Sequence, residues 1–362
     1  MRKPPELLVM LAPAALVTVL VVTFGFVLGG KDDSQQTSAE PTSTTSSSAP
    51  ATPSTSPSPT GTQGKPEGSG TRKKLVGPTV TIKRKPKPKY DVRPSFSFTI
   101  ASFNLLGASH TATGGDRKGM AGSAMRTSLS VNALRNNGVD LVGFQEFQAP
   151  QMGAFLAQAG GTYDVYPSAG SGVQLHANAV AWRKDTFRLV EARTFGIPYF
   201  FGQTRQMPVV QLEHIATGQK VWLMNVHNPA NAHGNAAKWR GAATQIEINL
   251  ANQLAADHPG EAIFFTGDLN DWEGVFCRVT TSTALKAANG GSTGSSCAPP
   301  PRPLAVDWVF GSDDVAFSSY RALRTPEIQR ATDHPLVAAE VTVPERKERI
   351  VYKNGTRVST DD

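Results

Sequence analysis

Residues 95–343 are predicted to form one mixed α/β (α+β) domain of about 250 residues, a size that a single folded unit can reach. Two observations lead to this prediction. Short apolar runs typical of buried strands alternate with stretches of helical periodicity, and Gly-rich turns separate them. The flanking parts have another composition: an apolar segment at residues 1–30, a polar and then basic linker at residues 31–94, and a charged tail at residues 344–362 that is expected to fray.

The first element is a 24-residue apolar stretch from Leu7 to Gly30, which as a helix is long enough to cross a hydrocarbon core of about 30 Å. Arg2 and Lys3 precede it, and the positive-inside rule therefore predicts a cytoplasmic N-terminus and an extracellular position for everything after residue 30. A cleaved signal peptide is the alternative, although its apolar region is usually only about 7 to 15 residues long. We expect a single-pass transmembrane helix in the cell membrane.

The linker changes composition along its length. Residues 34–70 consist mainly of Ser, Thr, Pro and Gly, and they are predicted to be disordered because they contain too few large apolar side chains to offset the entropy of ordering. Residues 72–93 hold nine Lys or Arg and one Asp, and this excess is the source of the formal net charge of +7. The basic stretch is interpreted either as a solvated linker or as a contact for anionic polymers, lipid headgroups or nucleic acid, which salt would weaken.

The N-terminal half of the domain is predicted to contain two strands and two helices. The strands are residues 95–106, in which apolar residues alternate, and residues 139–147, which form an apolar run. Helices are predicted over residues 123–138, before a glycine stop, and over residues 150–161, with a proline near the first turn. The apolar face of the first helix is expected to comprise Met125, Leu129 and Leu134.

The C-terminal half is predicted to be richer in strands. Residues 163–227 are mostly β in character, and a turn at residues 217–219 separates two adjacent strands. A helix is predicted over residues 235–257, with one apolar stripe that should face a sheet: Trp239, Ala243, Ile246, Leu250 and Leu254. Three further strands are predicted at residues 261–270, 305–312 and 333–343.

The chain has two cysteines, Cys277 and Cys297, both in the part expected outside the cell. A disulfide between them is compatible with that compartment and would contribute about 3 kcal/mol by restricting the unfolded chain. Two free thiols are the alternative. The cysteine and histidine spacing does not match a zinc site.

Several predicted strands end in polar residues that are suited to chemistry. Alone, an Asp or Asn at such a position is common in caps and turns. Together, carboxylates, amides and histidines at one edge of a sheet would supply a hard-metal site, phosphate hydrogen bonds and a proton acceptor. The residues at these ends are Asn104, Glu146, Asn225, His227, Asp268, Asn270, Asp307, Asp333 and His334.

Six short motifs in this order resemble the endonuclease/exonuclease/phosphatase superfamily, whose fold is like that of deoxyribonuclease I: SFNLL, GFQE, NVHNP, GDLND, VDWVF and TDHP. They extend over residues 96–343, which is essentially the whole predicted domain. The resemblance implies a four-layer α/β/β/α sandwich with its site at the lip between two sheets. It also implies a divalent cofactor, Mg²⁺ or in its place Mn²⁺ or Ca²⁺.

The resemblance further implies a role for each polar residue. The metal ion would be held by Glu146, Asn104 and Asp333. Phosphate oxygens would be bound by Asn225, Asn270 and Asn104. His334 would act as the general base, with Asp307 as the carboxylate that fixes its tautomer. Asp268 would orient the attacking water, and His227 would stabilise charge on the phosphoryl oxygens.

The function expected from these residues is a membrane-anchored, extracellular, divalent-metal-dependent hydrolase of phosphodiester bonds, with a nuclease ranked first. A phospholipid or sphingomyelinase-like phosphodiesterase is the alternative within the same chemistry. A catalytically silent surface-binding module is the alternative from another class. The expected partners are a phosphoester substrate, nucleic acid among the candidates, and the membrane through the N-terminal helix, while no obligate protein partner is inferred.

Some residues near the motifs are given no catalytic role. His233 is expected to be a solvated loop histidine, and the alternative is that its loop, which follows the unusual Asn228-Pro229 pair, selects the substrate. Tryptophans in apolar stripes are usually core residues and lone arginines are usually surface residues. On this basis none of four residues that could reach the cleft is assigned to the site: Trp182, Arg205, Trp239 and Arg240.

Overall fold

The computed structural model describes residues 89–171, 177–294, 296–301, 306–353 and 356–358. The predicted transmembrane helix and almost all of the predicted linker lie outside these residues. Within them, no helix combines the length and the apolar character needed to cross a membrane.

The described residues form sixteen strands and six α-helices. The strands are β1 (Tyr90–Arg93), β2 (Phe96–Asn104), β3 (Leu141–Gln145), β4 (Tyr163–Tyr166), β5 (Ala179–Arg183), β6 (Phe187–Pro198), β7 (Thr204–His214), β8 (Lys220–His227), β9 (Ala262–Asp268), β10 (Leu285–Ala287), β11 (Asp307–Ser312), β12 (Ala316–Leu323), β13 (Leu336–Val343), β14 (Arg346–Arg349), β15 (Val351–Lys353) and β16 (Thr356–Val358). The helices are α1 (Ala108–Thr111), α2 (Ser123–Asn136), α3 (Ala149–Ala159), α4 (Ala237–Asp257), α5 (Glu273–Ser282) and α6 (Pro326–Ala331).

Twelve of the strands form two six-stranded sheets. The first sheet has the order β12-β13-β2-β3-β5-β4, in which β2 and β3 are parallel and the other neighbours are antiparallel. The second sheet has the order β10-β11-β9-β8-β7-β6, in which β8 and β9 are the parallel pair. The second sheet is one continuous part of the chain, whereas the first sheet is built from parts that precede and follow it.

The two sheets pack face to face through an apolar core that includes Phe98, Ile100, Leu223 and Phe264. A second core lies between the first sheet and the helices α2, α3 and α6, and a third lies between the second sheet and the helices α4 and α5. The layers therefore run α, β, β, α. The predicted mixed α/β class and the packing of two large sheets are confirmed.

A buried polar seam joins the two sheets next to this apolar core. The amide of Asn225 on β8 accepts hydrogen bonds from Gln145 Nε2 at 2.7 Å and from Thr266 Oγ1 at 3.1 Å. The same amide donates to the carbonyl oxygens of Phe144 at 2.8 Å and Ala179 at 3.1 Å, both in the first sheet. Buried amides need such partners, and here the need is met only when the two sheets keep one relative position.

The buried face of α2 differs from the predicted one. Met125 is 54% exposed, whereas the next residue, Arg126, is completely buried. Its guanidinium donates to the carbonyl oxygens of Leu105 at 2.7 Å, Leu106 at 2.6 Å and Ala331 at 3.0 Å. These bonds satisfy the donors of the buried arginine, and they tie the segment after β2 to the end of α6.

Helix α4 also buries a face that its apolar stripe does not predict. Leu254 is buried as expected, but Ile246 and Leu250 are only partly buried. Glu247 is completely buried instead, because it faces Asn228 in the loop after β8, whose Nδ2 lies 3.4 Å from Glu247 Oε2.

The tail after β13 is more ordered than predicted. Strand β14 pairs antiparallel with β1, and β15 pairs with β16 in a hairpin. The expectation of a fraying tail is therefore wrong for residues 346–349, whose backbone is fixed by hydrogen bonds to β1.

The two cysteines form a disulfide between Cys277 in α5 and Cys297 in the loop before β11, with their Cα atoms 5.7 Å apart. The predicted bridge is confirmed, and the alternative of two free thiols is wrong.

Candidate active site

The polar residues predicted at strand ends come together at one edge of the two sheets. Residues from the first sheet and its loops are Asn104 at the end of β2, Glu146 after β3, and Asp333 and His334 before β13. Residues from the second sheet and its loops are Asn225 and His227 on β8, Asp268 at the end of β9, Asn270 after it, and Asp307 at the start of β11. Both sheets therefore contribute to one site.

A cavity of about 600 Å³ opens at this edge, a size typical of small-ligand sites. Six of the predicted residues line it: Glu146, His227, Asp268, Asn270, Asp333 and His334. The remaining three, Asn104, Asn225 and Asp307, are buried behind its wall.

His334 and Asp307 form a hydrogen-bonded pair, as predicted. His334 Nδ1 lies 3.0 Å and 3.1 Å from the two carboxylate oxygens of Asp307, so the Asp307 carboxylate binds a proton on Nδ1 and leaves Nε2 facing the cavity. Nε2 lies 3.7 Å from Asp268 Oδ2. Burial alone would lower the pKa of His334, but the carboxylates of Asp307, Asp268 and Asp333 outweigh it and raise the pKa to about 10.

Asn104 connects the two carboxylates of the cavity. Its Nδ2 donates to Asp268 Oδ2 at 3.0 Å and to Glu146 Oε1 at 3.2 Å, and its Oδ1 accepts from the backbone N–H of Leu106 at 2.9 Å. Both ends of the amide are therefore used within the protein. These contacts give Asn104 a positioning role between the two carboxylates, and its predicted binding of metal or phosphate stays a prediction.

Glu146 is held in a fixed, ionised state. Its backbone has φ of 55°, which is uncommon for a residue other than glycine and is often found at functional sites. Its Oε2 accepts a hydrogen bond from the backbone N–H of Gly107 at 2.8 Å. Burial alone would raise the pKa of Glu146, but the charge of His227 and the hydrogen bonds from Gly107 and Asn104 lower it.

The loop after β2 adds three residues that the motifs do not identify: His110, Asp116 and Arg117. His110 Nε2 lies 3.2 Å from Glu146 Oε2, and His110 Nδ1 hydrogen bonds Asp116 at 2.6 Å. Arg117 then bridges Asp116 at 3.2 Å and Asp333 at 2.9 Å. Arg117 lowers the pKa of Asp333, although burial alone would raise it. This chain of contacts fixes the loop over one side of the cavity and gives one oxygen of Asp333, the predicted metal ligand, an arginine partner.

Asn270 and His227 lie on the other side of Asp268. The backbone N–H of Asn270 donates to Asp268 Oδ1 at 3.1 Å, and its Nδ2 donates to the carbonyl oxygen of Asn228 at 2.9 Å. Asn270 has φ of 49°, so a left-handed turn directs it back over the end of β9. His227 Nε2 lies 3.5 Å from Asp268 Oδ2. Both residues remain at the cavity wall, where polar groups can meet a ligand.

Asn225, which is predicted to bind phosphate, does not line the cavity. Its amide lies in the seam between the sheets, where it is fully buried and has four hydrogen-bond partners. It therefore has no capacity left for a ligand, and its role is to hold the sheets together beneath the site.

The oxygen atoms at the cavity wall are suitable ligands for a hard divalent ion. Carboxylate oxygens are the ligands that Mg²⁺, Mn²⁺ and Ca²⁺ prefer, and Glu146 and Asp268 both offer them to the cavity. Ligand atoms of Asp268, Asp307 and His334 also lie within 4.8 Å of one another. Since Asp307 and His334 already bind each other, Asp268 and Glu146 are the carboxylates best suited to an ion.

The far wall of the cavity was not expected from the sequence. It is formed by the tip of the β6–β7 hairpin and by the loop after β8, and it contains Tyr199, Phe200, Arg205 and His233. Arg205, one of the residues that could reach the cleft but was given no role, lines the cavity, and its guanidinium lies 3.8 Å from the centre of the Tyr199 ring. His233 is exposed as predicted, yet it packs on Phe200 with ring centres 4.8 Å apart. The other three residues given no role, Trp182, Trp239 and Arg240, do not line the cavity.

Comparison with known proteins identifies the same fold. The family model described as "Endonuclease/Exonuclease/phosphatase family" matches residues 101–334. An endonuclease/exonuclease/phosphatase family protein from Bacteroides thetaiotaomicron is similar in structure, with 19% identity, 69% of this chain and 98% of that chain covered, and a TM-score of 0.54. The human nocturnin catalytic domain with bound sulfate gives 18% identity, 70% and 97% coverage, and a TM-score of 0.51.

A mannosyl-6-phosphatase from Bacteroides thetaiotaomicron gives 19% identity, 67% and 98% coverage, and a TM-score of 0.51. No curated protein sequence matches the chain.

Proposed function

Because this chain belongs to the endonuclease/exonuclease/phosphatase family, whose members hydrolyse phosphoester bonds, we propose that it is a divalent-metal-dependent phosphodiesterase that cleaves nucleic acid. One observation supports this proposal above the others. The His334–Asp307 pair lies next to Asp268 at the wall of a cavity that Glu146 also lines. The proposal assigns to these neighbouring groups the roles of a proton acceptor, a water-orienting carboxylate and a cation ligand.

The reaction requires a water molecule in line with the leaving oxygen and donors for the phosphoryl oxygens. We assign orientation of the water to Asp268 and His334 Nε2, since the two groups are 3.7 Å apart and both can contact one water. His334 then takes the proton at Nε2, while Asp307 balances the charge that develops on the ring. Asn270 and His227 donate hydrogen bonds to the phosphoryl oxygens.

The carboxylates of the cavity explain why a cation is needed. Asp116, Glu146, Asp268 and Asp333 line it, and they would repel an anionic phosphate. A divalent ion held by Glu146 and Asp268 would polarise the phosphoryl oxygen, and its charge would offset the carboxylates that raise the pKa of His334. Asn104 keeps the two carboxylates in place for that purpose.

A substrate panel tests this proposal directly. The full-length chain is assayed with supercoiled plasmid, with phosphatidylcholine and sphingomyelin vesicles, and with mannose 6-phosphate, because one protein of similar fold is named a mannosyl-6-phosphatase. Each assay is run with Mg²⁺, Mn²⁺ or Ca²⁺ and again with EDTA. We expect chelator-sensitive nicking of the plasmid. Hydrolysis of the vesicle lipids without nicking of the plasmid would favour the phospholipid alternative. Inactivity on every phosphoester would favour the silent binding module.

We further propose that the domain works outside the cell, on the membrane anchor predicted at Leu7 to Gly30. The Cys277–Cys297 disulfide supports this location, because such bonds persist in oxidising compartments. In intact cells, added protease should release the domain while the N-terminal segment stays with the membrane after a carbonate wash. The proposed location would be contradicted if the protease cleaves the chain only after the cells have been lysed.

A further inference from the structure

Two arginines line the cavity, and their surroundings differ. The guanidinium of Arg117 is bound to Asp116 and Asp333. The guanidinium of Arg205 lies over the Tyr199 ring and makes no hydrogen bond or ion pair with any residue that the structure describes. Since an arginine has five N–H donors, Arg205 brings unused donors and a positive charge to a cavity otherwise rich in carboxylates.

The position of Arg205 is fixed by its aromatic support. Tyr199 is only 5% exposed, and its backbone N–H donates to the carbonyl oxygen of Gln203 at 2.7 Å across the tip of the β6–β7 hairpin. The ring also packs against Phe200 with centres 4.9 Å apart. A guanidinium held on a buried ring loses little freedom when it binds a ligand, which favours recognition of a planar or tetrahedral anion.

Aromatic rings continue outward from Arg205 along the same wall. Phe200 and His233 line the cavity, and Phe201 lies beside them with its ring centre 5.4 Å from that of His233. Phe201 is 76% exposed and has φ of 56°, which is unfavourable for a bulky residue. This conformation keeps a large flat ring in solvent at the mouth of the cavity, where it can stack on a planar group.

We propose that Arg205, Phe201 and His233 form a second subsite, which binds the nucleotide unit next to the scissile phosphodiester: Arg205 takes a further phosphate of the substrate, and the aromatic rings stack on its base. The inference rests on the proposed function and narrows its substrate to a nucleotide that carries a second phosphate. An acyl chain could contact Phe201, but it would leave the charge and the donors of Arg205 without a partner. The combination of a free guanidinium and a flat ring therefore favours a nucleotide over a lipid.

The test compares substrates that differ only in the second phosphate. The full-length chain is assayed with the dinucleotide TpT and with its 5′-phosphorylated and 3′-phosphorylated forms, under the same metal and salt conditions. The wild type should show kcat/KM about tenfold or more higher for at least one phosphorylated form, which is the effect expected of a charge-assisted hydrogen bond. Arg205→Gln should bring that ratio close to one.

A matched control is available on the neighbouring strand. Arg193 also lies over an aromatic ring, that of Trp222 at 5.4 Å, and its Nη1 donates to Glu191, but it does not line the cavity. Arg193→Gln should retain the preference for the phosphorylated dinucleotide. If Arg205→Gln also retains it, the proposed role of Arg205 is overturned.

The aromatic part of the subsite has its own variant. Phe201→Asn removes the ring, and asparagine accepts a left-handed backbone, so the hairpin tip should keep its conformation. KM for TpT should rise more than KM for the analogue that lacks the base next to the scissile bond. Equal changes for the two substrates would overturn stacking at this position.

Failure of the subsite and failure of the proposed function give different results. If bis(p-nitrophenyl) phosphate is hydrolysed in a chelator-sensitive way and the wild type does not distinguish the dinucleotides, the subsite is wrong and the function stands. If no phosphoester is hydrolysed, the function is wrong, and calorimetry in EDTA then decides the subsite. The subsite would be supported if the wild type binds thymidine 3′,5′-bisphosphate more tightly than thymidine 5′-monophosphate and Arg205→Gln loses this difference. Equal affinities of the wild type for the two nucleotides would overturn the subsite. Faster hydrolysis of phosphatidylcholine vesicles than of any dinucleotide would also overturn it.

Discussion

The buried Glu247 gives a quantitative prediction about the pH dependence of stability. Burial raises the pKa of its carboxyl from 4.5 to about 8, and the hydrogen bond from Asn228 and the charge of Arg278 offset only part of this effect. Glu247 Oε1 and Asn228 Oδ1 are both buried and have no hydrogen-bond partner among the described residues. A proton on Glu247 Oε1 would give both atoms a partner, as in a paired acid and amide.

The sign and the size of the effect follow from proton linkage. Between pH 4.5 and 8 the folded state keeps a proton on Glu247 that the unfolded state has released, so the free energy of unfolding falls as the pH rises. The contribution is fully present below pH 4.5 and is lost as the pH passes through 8. At about 1.4 kcal/mol per pH unit, the loss over this window amounts to roughly 5 kcal/mol.

The assay is urea unfolding of the wild type and Glu247→Gln at a series of pH values from 5 to 9. Glutamine has the same shape, does not titrate, and can exchange two hydrogen bonds with Asn228, so the variant should gain stability relative to the wild type as the pH rises. The exposed Glu273 on α5 supplies the control, since Glu273→Gln should keep the wild-type slope. Parallel curves for the wild type and Glu247→Gln would refute a protonated Glu247.

Four more outcomes test other parts of the structure. His334→Ala should lower kcat by about 10² to 10⁴, the usual contribution of a general base, with little change in the urea midpoint; a near-normal kcat would exclude the assigned role. Glu146→Gln should raise the Mg²⁺ concentration for half-maximal activity about tenfold or more, and an unchanged titration would argue against a ligand. Asn225→Ala should destabilise the fold by roughly 2 to 4 kcal/mol because it leaves buried groups unpaired. If Asn225 instead bound phosphate, the substitution would raise KM and leave the stability unchanged. Replacing both cysteines with serine should reduce the free energy of unfolding by about 3 kcal/mol, and an undiminished value would show that the bridge adds no stability.

The strands and most of the site could be predicted because their signals are local. Alternating or continuous apolar runs identify β2, β3, β8 and β9, and a polar residue at the end of such a run is visible in the same few letters. His334, Asp268 and Glu146 belong to short motifs in a recognisable order, so their convergence could be expected. The His334–Asp307 contact followed from the same reasoning.

Long-range partners account for most of what could not be predicted. Arg126 and Glu247 lie outside the apolar stripes that periodicity assigns to the core, and each is buried where a distant segment supplies a hydrogen-bond partner. Asn225 has the expected residue type at the expected strand end, yet its amide is used by the opposite sheet. No pattern in one strand reveals which atoms of another sheet will lie beneath it.

The loop residues form a second group that sequence reasoning missed. His110 and Arg117 lie in a segment without apolar periodicity, and their importance depends on how the loop folds back onto Glu146 and Asp333. Arg205 reaches the cavity only because the hairpin tip places Tyr199 beneath it. A pairing of Arg205 with an aromatic residue six positions earlier was the one local signal, and it is too common to be diagnostic.

The split origin of the first sheet has a consequence for the newly made protein. Its strands β12 and β13 come after the whole second sheet in the chain, and His334 enters just before β13. An elongating polypeptide therefore carries Glu146 and Asp268 before it has His334, the residue proposed as the general base. The set of residues proposed for hydrolysis is therefore complete only after the whole second sheet has been made.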